Sequence, residues 1–146
     1  MNLLPTIFAA GRCGARVWRH KLRTKIMAKC EQGYLCEVCG KDVEEITESD
    51  LYLRYVLGLV DPETLHTQPE RHLACNPGLA QFIVDPEFPA ITASGDFDKR
   101  QLDPAFVAQR EEQVTRGWHR LREVARDRDV AIKDYPLPNA RAKWSG

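Results

Sequence analysis

Two short pairs of residues in this sequence have the chemistry of metal ligands. Cys36 and Cys39 are separated by two residues, and His72 and Cys75 have the same spacing. That spacing lets one turn of backbone direct both side chains at a single ion, and thiolate sulfur with imidazole nitrogen is a ligand set that Zn²⁺ binds tetrahedrally. Two such pairs in one short chain predict a structural zinc site with Zn²⁺ as the cofactor.

Other interpretations of these thiols remain open at this point. Cys36 and Cys39 could form a redox-active dithiol, although such a dithiol stands between a strand and a helix and needs no second ligand pair. Cys75 could be a buried apolar thiol and His72 a surface residue. Cys30 precedes the first pair and could replace His72 in a site made of four thiolates.

The predicted ligand set bears on whether the chain is an enzyme. Zinc held by four protein ligands has no open position for water, which closes the usual route to a zinc-activated hydroxide. The sequence also has no phosphate-binding loop, dinucleotide fingerprint, nucleophile elbow or His-Glu-x-x-His motif. It therefore favours a protein-interaction or adaptor module over an enzyme, and we assign no catalytic residue.

The arrangement of the pairs resembles a known zinc module. A Cys-x2-Cys knuckle with Gly40 directly after it, followed later by a second pair at the start of a helix, is similar to the treble clef. The step from Cys75 to Asn76 after a histidine looks like the zinc-bearing His-Asn-His nucleases, and the likeness covers residues 34–85. If the chain is an enzyme, the resemblance implies a nuclease.

The nuclease part of this resemblance lacks its central residue. That family places an Asp-His or His-His pair between the two zinc pairs, where a histidine activates water. The nearest match here is Asp61 followed by Pro62, and His66 has no acidic or histidine neighbour beside it. Because proline cannot act as a general base, the alternative function is a nucleic-acid-binding module or, as the resemblance implies, a degenerate nuclease of the His-Asn-His type.

Helices must position the ligands. Ser49 and Asp50 can cap an apolar helix that starts at Leu51, and Asn76 before Pro77 is a plausible cap for a short second helix. The clearest helix runs from Pro104 to about Arg126 behind an Asp103 cap, with apolar residues three and four positions apart, and Trp118 and Leu121 should be buried. Residues 130–138 alternate apolar and polar side chains and predict an edge strand or an extended arm.

These elements predict the α+β class: a small zinc-stabilised, treble-clef-like module with a knuckle hairpin, short helices and one long C-terminal helix. We expect the chain to divide into a basic leader (1–29), a zinc-binding module (30–85), a loop (86–103), the long helix with an extended arm packed on the module (104–138), and a tail (139–146).

The leader is strongly basic. It contains no aspartate or glutamate, and its basic residues are Arg12, Arg16, Arg19, Lys21, Arg23, Lys25 and Lys29. It could be an organellar presequence. It could also be an arm that contacts nucleic acid through Arg16, Arg19, Lys21 and Arg23, with Arg71 as a further phosphate contact. We favour a third interpretation, in which translation starts at Met27 and the remaining protein is acidic, which argues against a phosphate partner.

Partner and compartment follow from the same composition. No apolar run is long enough to cross a bilayer, and cysteines used as ligands fit a reducing compartment, so we expect cytoplasm, or an organelle if the leader is a presequence. An unknown protein partner could dock on Trp118, on Trp144 or on the Tyr-Pro-Leu-Pro segment at 135–138. Of these two interpretations of that segment, we favour packing on its own domain.

Overall fold

The computed structural model describes residues 34–144, and these fold into helices and turns. The α-helices are α1 (Asp50–Val56), α2 (Pro77–Ala80), α3 (Pro104–Arg126) and α4 (Pro138–Arg141). Single 3₁₀ turns lie at Ile46–Glu48, Leu65–Thr67, Leu73–Cys75, Gly95–Phe97, Lys99–Gln101 and Ile132–Asp134.

The predicted α+β class is wrong, because these residues form no sheet. β-pairing within 34–144 is confined to two isolated antiparallel bridges, Leu35 with Asp42 and Ser49 with His72. In the knuckle, Leu35 and Asp42 form the single bridge, and the chain then continues into the 3₁₀ turn at Ile46–Glu48. After α3, Ile132–Asp134 is a 3₁₀ turn and not an edge strand. The prolines at 136 and 138 have no N–H to give to a ladder, which limits strand pairing at this end of the alternating pattern.

The core forms where α1 crosses α3. Leu53 and Val56 of α1 and Val114 and Leu121 of α3 are completely buried. Gly117 lies at the crossing, where a Cβ atom would be only 2.6 Å from the Leu57 Cδ2 atom. Glycine therefore lets the two helices approach this closely, because a Cβ atom here would force the side chains of Leu53 and Leu57 to shift.

The predicted long helix is confirmed. The Asp103 carboxylate accepts a hydrogen bond from the Phe106 N–H at 3.0 Å, and Pro104 occupies the first helical position. Trp118 and Leu121 are buried as expected. The Trp118 indole donates to the Thr47 carbonyl at 3.3 Å, which ties the middle of α3 to the turn before α1.

The residues after α3 pack back on α1. Tyr135, Pro136 and Leu137 are buried, and the Leu137 N–H donates to the Val56 carbonyl at 3.0 Å. The Trp144 ring stacks on Tyr55 with 5.8 Å between ring centroids. The first three residues of the Tyr-Pro-Leu-Pro segment thus pack on their own domain, and Trp118 is likewise buried in the core.

Among the helices of the described region, none has both the length and the apolar character that a membrane crossing demands.

Candidate metal centre

Four potential metal ligands lie close together in the structure. The Sγ atoms of Cys36, Cys39 and Cys75 and a ring nitrogen of His72 all lie within 4.8 Å of one another. Within the described residues this is the one group of three or more such side chains that could hold a metal ion. The two pairs predicted from spacing are therefore brought to a single point, although His72 lies far from the first pair in the sequence.

The distances within this group suit a tetrahedral ion. The His72 Nδ1 atom lies 3.3 Å from Cys39 Sγ and 4.0 Å from Cys75 Sγ. Bonds of about 2.3 Å to sulfur and about 2.0 Å to nitrogen would separate a sulfur from a nitrogen ligand by about 3.5 Å in a tetrahedral zinc site. Small side-chain rotations would therefore be enough to close the ligands around one ion.

The ring nitrogen of His72 that faces away from the thiols has a hydrogen-bond partner. This nitrogen, Nε2, lies 2.9 Å from the Asp42 carbonyl oxygen. Since a carbonyl oxygen can only accept, Nε2 carries a proton, and in the neutral ring this leaves the Nδ1 lone pair directed at the thiols. Metal-binding histidines usually have such a partner, because it fixes the tautomer and the orientation of the ring.

The knuckle presents the first pair of ligands. The Cys36 N–H donates to the Lys41 carbonyl and the Gly40 N–H donates to the Cys36 carbonyl, both at 2.9 Å. Gly40 has a φ of +71°, a conformation that other residues adopt only at a cost. This turn buries Cys36, which is 1 % exposed, and leaves Cys39 at the surface.

A buried carboxylate fixes the segment before His72. Glu70 accepts hydrogen bonds from the Ser49 hydroxyl at 2.7 Å and from the Arg71 N–H at 3.0 Å. The same Ser49 oxygen accepts the Tyr52 N–H and so caps α1. The Glu70 carbonyl in turn accepts the Glu37 N–H at 3.0 Å, which joins this segment to the knuckle.

A second buried carboxylate fixes the segment after Cys75. Asp50 is completely buried, and its two oxygens accept hydrogen bonds from Asn76 Nδ2 at 2.7 Å and from Arg54 Nε at 2.9 Å. The Asp50 N–H donates to the Arg71 carbonyl. The first turn of α1 therefore positions both flanks of the second ligand pair.

The thiols differ in acidity. Burial raises the pKa of Cys36, but backbone N–H groups of Cys39, His72 and Val38 outweigh it and lower the pKa to about 6. Burial, with the neighbouring Cys36 and Cys39 sulfurs, raises the pKa of Cys75 to about 11. Cys36 therefore ionises before Cys75, and a divalent cation would remove the repulsion between close thiolates that opposes ionisation of Cys75.

The remaining sequence-predicted site residues lie elsewhere. Arg71 pairs with Glu37, with 3.0 Å between Nε and Oε1, and so is already neutralised. Cys30, Arg16, Arg19, Lys21 and Arg23 lie outside the described residues. His66 is exposed, and the exposed ring of His119 pairs with Asp85 at 2.7 Å.

Sequence reasoning missed the residues that support the ligands. Glu70 and Asp50 are polar residues next to other polar residues, and nothing in their spacing marks them as buried. Asp42 acts through its backbone carbonyl, which every residue possesses, so no sequence signal could have identified it. Asn76 was expected to cap α2, but its side chain bonds to Asp50.

No protein-family model, curated protein or solved structure matches this chain, so the resemblance to the treble clef and to His-Asn-His nucleases has no support from relatives. What characterises the chain is its own geometry: a helical protein in which three cysteines and one histidine form a group able to bind a metal ion.

Proposed function

We propose that this chain is a small protein-interaction module whose fold is stabilised by one structural Zn²⁺ bound by Cys36, Cys39, His72 and Cys75. The observation that carries the proposal is that these four ligand atoms lie within 4.8 Å of one another, with the far nitrogen of His72 already bonded. Three sulfurs and one imidazole nitrogen match structural zinc better than a hard cation such as Mg²⁺, which prefers oxygen ligands.

The ligand set supports a structural role over a catalytic one. Catalytic zinc sites use three protein ligands and keep the fourth position for water or substrate. Here four residues fill the tetrahedron, and Cys36 and the backbone around His72 are enclosed by the knuckle and α1. Cysteines remain available as thiolate ligands only in a reducing compartment, so we also propose that the protein is located in the cytoplasm.

Metal analysis with ligand variants tests the zinc proposal. The full chain, purified without chelator, should contain one equivalent of zinc. His72→Ala should lower the zinc content sharply, whereas His66→Ala should keep it, because His66 is an exposed histidine between the two ligand pairs. Cys30→Ser should also keep the metal, and a loss of zinc in that variant would identify Cys30 as a ligand instead.

The outcome that would defeat the zinc proposal is simple. If the wild-type chain is folded but contains far less than one equivalent of zinc, and if added zinc does not raise its unfolding temperature, the four residues are not a structural zinc site. No observation favours the nucleic-acid alternative, since Arg71 is neutralised by Glu37 and the other basic candidates lie outside residues 34–144.

A further inference from the structure

The three cysteines of the metal group differ in how far solvent reaches them. Cys36 is 1 % exposed, Cys75 is partly buried and Cys39 is exposed. When all three bind an ion, each sulfur is a thiolate, so ionisation no longer distinguishes one from another. Access to reagents in solution then decides which sulfur reacts first, and Cys39 is the most accessible of the three.

Hydrogen bonds distinguish the same sulfurs in a second way. The Cys36 sulfur accepts the His72 N–H at 3.4 Å and is also stabilised by the backbone N–H groups of Val38 and Cys39. Within residues 34–144 no backbone N–H donates to the Cys39 sulfur, and the His72 Nδ1 atom lies 3.3 Å from it. Hydrogen bonds withdraw electron density from a thiolate and weaken it as a nucleophile, because nucleophilicity falls with basicity. Cys39 therefore combines access with a sulfur that no such bond deactivates.

A partner thiol lies in the same turn of the knuckle. The Gly40 N–H donates to the Cys36 carbonyl at 2.9 Å, and this bond closes a turn that carries both Cys36 and Cys39. Their sulfurs lie within 4.8 Å of each other, and a disulfide bond is about 2.05 Å long. Rotation of these two side chains brings the sulfurs toward bonding distance, and the segment that carries Cys75 need not move.

The choice of partner decides whether the knuckle stays tied to the second ligand pair. A disulfide between Cys36 and Cys39 removes both knuckle ligands at once and leaves His72 with Cys75. Two ligands do not fill a tetrahedral zinc site, so the link between the two segments is lost. A disulfide between Cys39 and Cys75 would instead keep the segments covalently joined.

From these observations we propose that the metal group is a peroxide-sensitive switch, in which oxidation of Cys39 and Cys36 to a disulfide releases the ion and frees the knuckle. The oxidant is a hydroperoxide, with hydrogen peroxide as the simplest member of the class. This inference rests on the proposed structural zinc and states how that same site is regulated.

The oxidation balances in two steps. The Cys39 thiolate attacks one oxygen of hydrogen peroxide, so that an S–O bond forms, the O–O bond breaks, and the departing hydroxide takes a proton from solvent. The Cys36 thiolate then attacks the sulfur of this sulfenic acid. An S–S bond forms, the S–O bond breaks, and a second hydroxide is protonated to water. The two thiolates lose two electrons, the peroxide gains them, and solvent supplies two protons.

Zinc release and disulfide mapping on the full, zinc-loaded chain test this inference. One equivalent of hydrogen peroxide should release zinc in step with the formation of one disulfide per ion, measured with a chromogenic chelator and by peptide mass spectrometry without reduction. The disulfide should join Cys36 to Cys39, and a thiol reductant followed by zinc should restore the site. Limiting N-ethylmaleimide on the loaded chain should label Cys39 before Cys36 and Cys75.

Two histidine substitutions form a matched pair. Cys39→His and Cys75→His each give two cysteines and two histidines, which is also a structural zinc set. Cys39→His removes the reactive thiol, so peroxide should release zinc at least about tenfold more slowly. Cys75→His keeps both thiols of the disulfide and should release zinc at the wild-type rate. Zinc content before oxidation shows whether each variant is loaded, and the wild-type disulfide map decides independently of both.

A third variant excludes the remaining thiols. The chain has five cysteines, and replacing Cys13 and Cys30 by serine leaves the three of the metal group. Peroxide should release zinc from this variant at the wild-type rate. Loss of the peroxide response here would place the reaction at Cys13 or Cys30 and overturn the inference.

Other results would also overturn it. Zinc release without a disulfide, or a disulfide between Cys39 and Cys75, contradicts the assigned pair. Equal rates in the two loaded histidine variants contradict the role of Cys39. A zinc-loaded chain that keeps its ion in excess peroxide defeats this inference alone, whereas a folded chain that is purified without zinc and does not bind it defeats the zinc proposal.

Discussion

Two tyrosines of α1 differ in whether their hydroxyl groups find a hydrogen-bond acceptor. The Tyr55 hydroxyl donates to the Ile132 carbonyl at 3.1 Å, while the Tyr52 hydroxyl is buried with no partner among the described residues. Burial, together with the charge of Glu70, also raises the pKa of Tyr52 above its usual range. A buried polar group without a partner has given up its bonds to water without a replacement, so Tyr52 is a local cost to stability.

We therefore predict opposite effects for the same substitution at these two positions. Tyr52→Phe should leave the free energy of unfolding unchanged or raise it by up to about 1 kcal/mol, because it removes the unpaired hydroxyl. Tyr55→Phe should lower it by about 1 kcal/mol, because the Ile132 carbonyl loses its donor. Urea unfolding monitored by circular dichroism measures both, and a larger loss in Tyr52→Phe than in Tyr55→Phe would show that the Tyr52 hydroxyl has a partner.

At the scale of the elements, the crossing of α1 and α3 depends on the absence of a side chain at Gly117. Glycine in the middle of a helix costs about 1 kcal/mol relative to alanine, so its presence in a long helix requires a packing reason. That reason is the contact with Leu53 and Leu57, whose methyl groups occupy the space of a Cβ atom.

Gly117→Ala should accordingly lower the free energy of unfolding by about 1–3 kcal/mol despite the better helix propensity of alanine. Gly78→Ala is the control, because a Cβ atom on this exposed α2 residue would meet only Asn76 Oδ1, at an ordinary 3.5 Å. Thermal unfolding of both variants decides the matter. A stabilised Gly117→Ala variant would mean that the leucines move aside without loss and that helix propensity dominates.

The elements also differ in how far the sequence could predict them. The long helix was readable, because Asp103, Pro104 and the apolar repeat act within one segment. The ligand pairs were readable for the same reason, since each pair spans a single turn. The absence of a sheet could not be predicted in this way, because strand pairing depends on a second segment that can lie far away in the sequence. The alternating residues near Tyr135 pack against Tyr52 and Val56 instead of pairing with a strand.

At the scale of the whole molecule, the metal group and the helical core are separate regions joined through the first turn of α1. The buried side chains between positions 34 and 43 are Cys36 and Val43, whereas the main core draws on residues from Ile46 to Ala140. The knuckle thus has little apolar burial of its own and depends on the ion and on a few hydrogen bonds.

Removing the metal should consequently loosen the knuckle and spare α3. After treatment with a chelator, the amides of Glu37 and Gly40 should exchange with deuterium at least about tenfold faster, which corresponds to about 1.4 kcal/mol of lost local stability. Amides near Val114 and Leu121 should change little, because they belong to the α1–α3 core.

Hydrogen exchange resolved by peptide and followed by mass spectrometry makes this comparison, and restoring zinc should reverse it. Uniform loss of protection across α3 would mean that the ion supports the entire fold. Unchanged exchange at the knuckle would mean that no ion organises it.

The position of the ligand pairs on either side of α1 has a consequence for the kinetics of folding. Cys39 and His72 are 33 positions apart, and contacts over such a separation are slow to form because the intervening chain must first be closed into a ring. An ion captured by all four ligands before the core assembles would close that ring in advance. The bridge between Ser49 and His72 would then become a short-range contact, so zinc would set the order in which the molecule folds as well as its final stability.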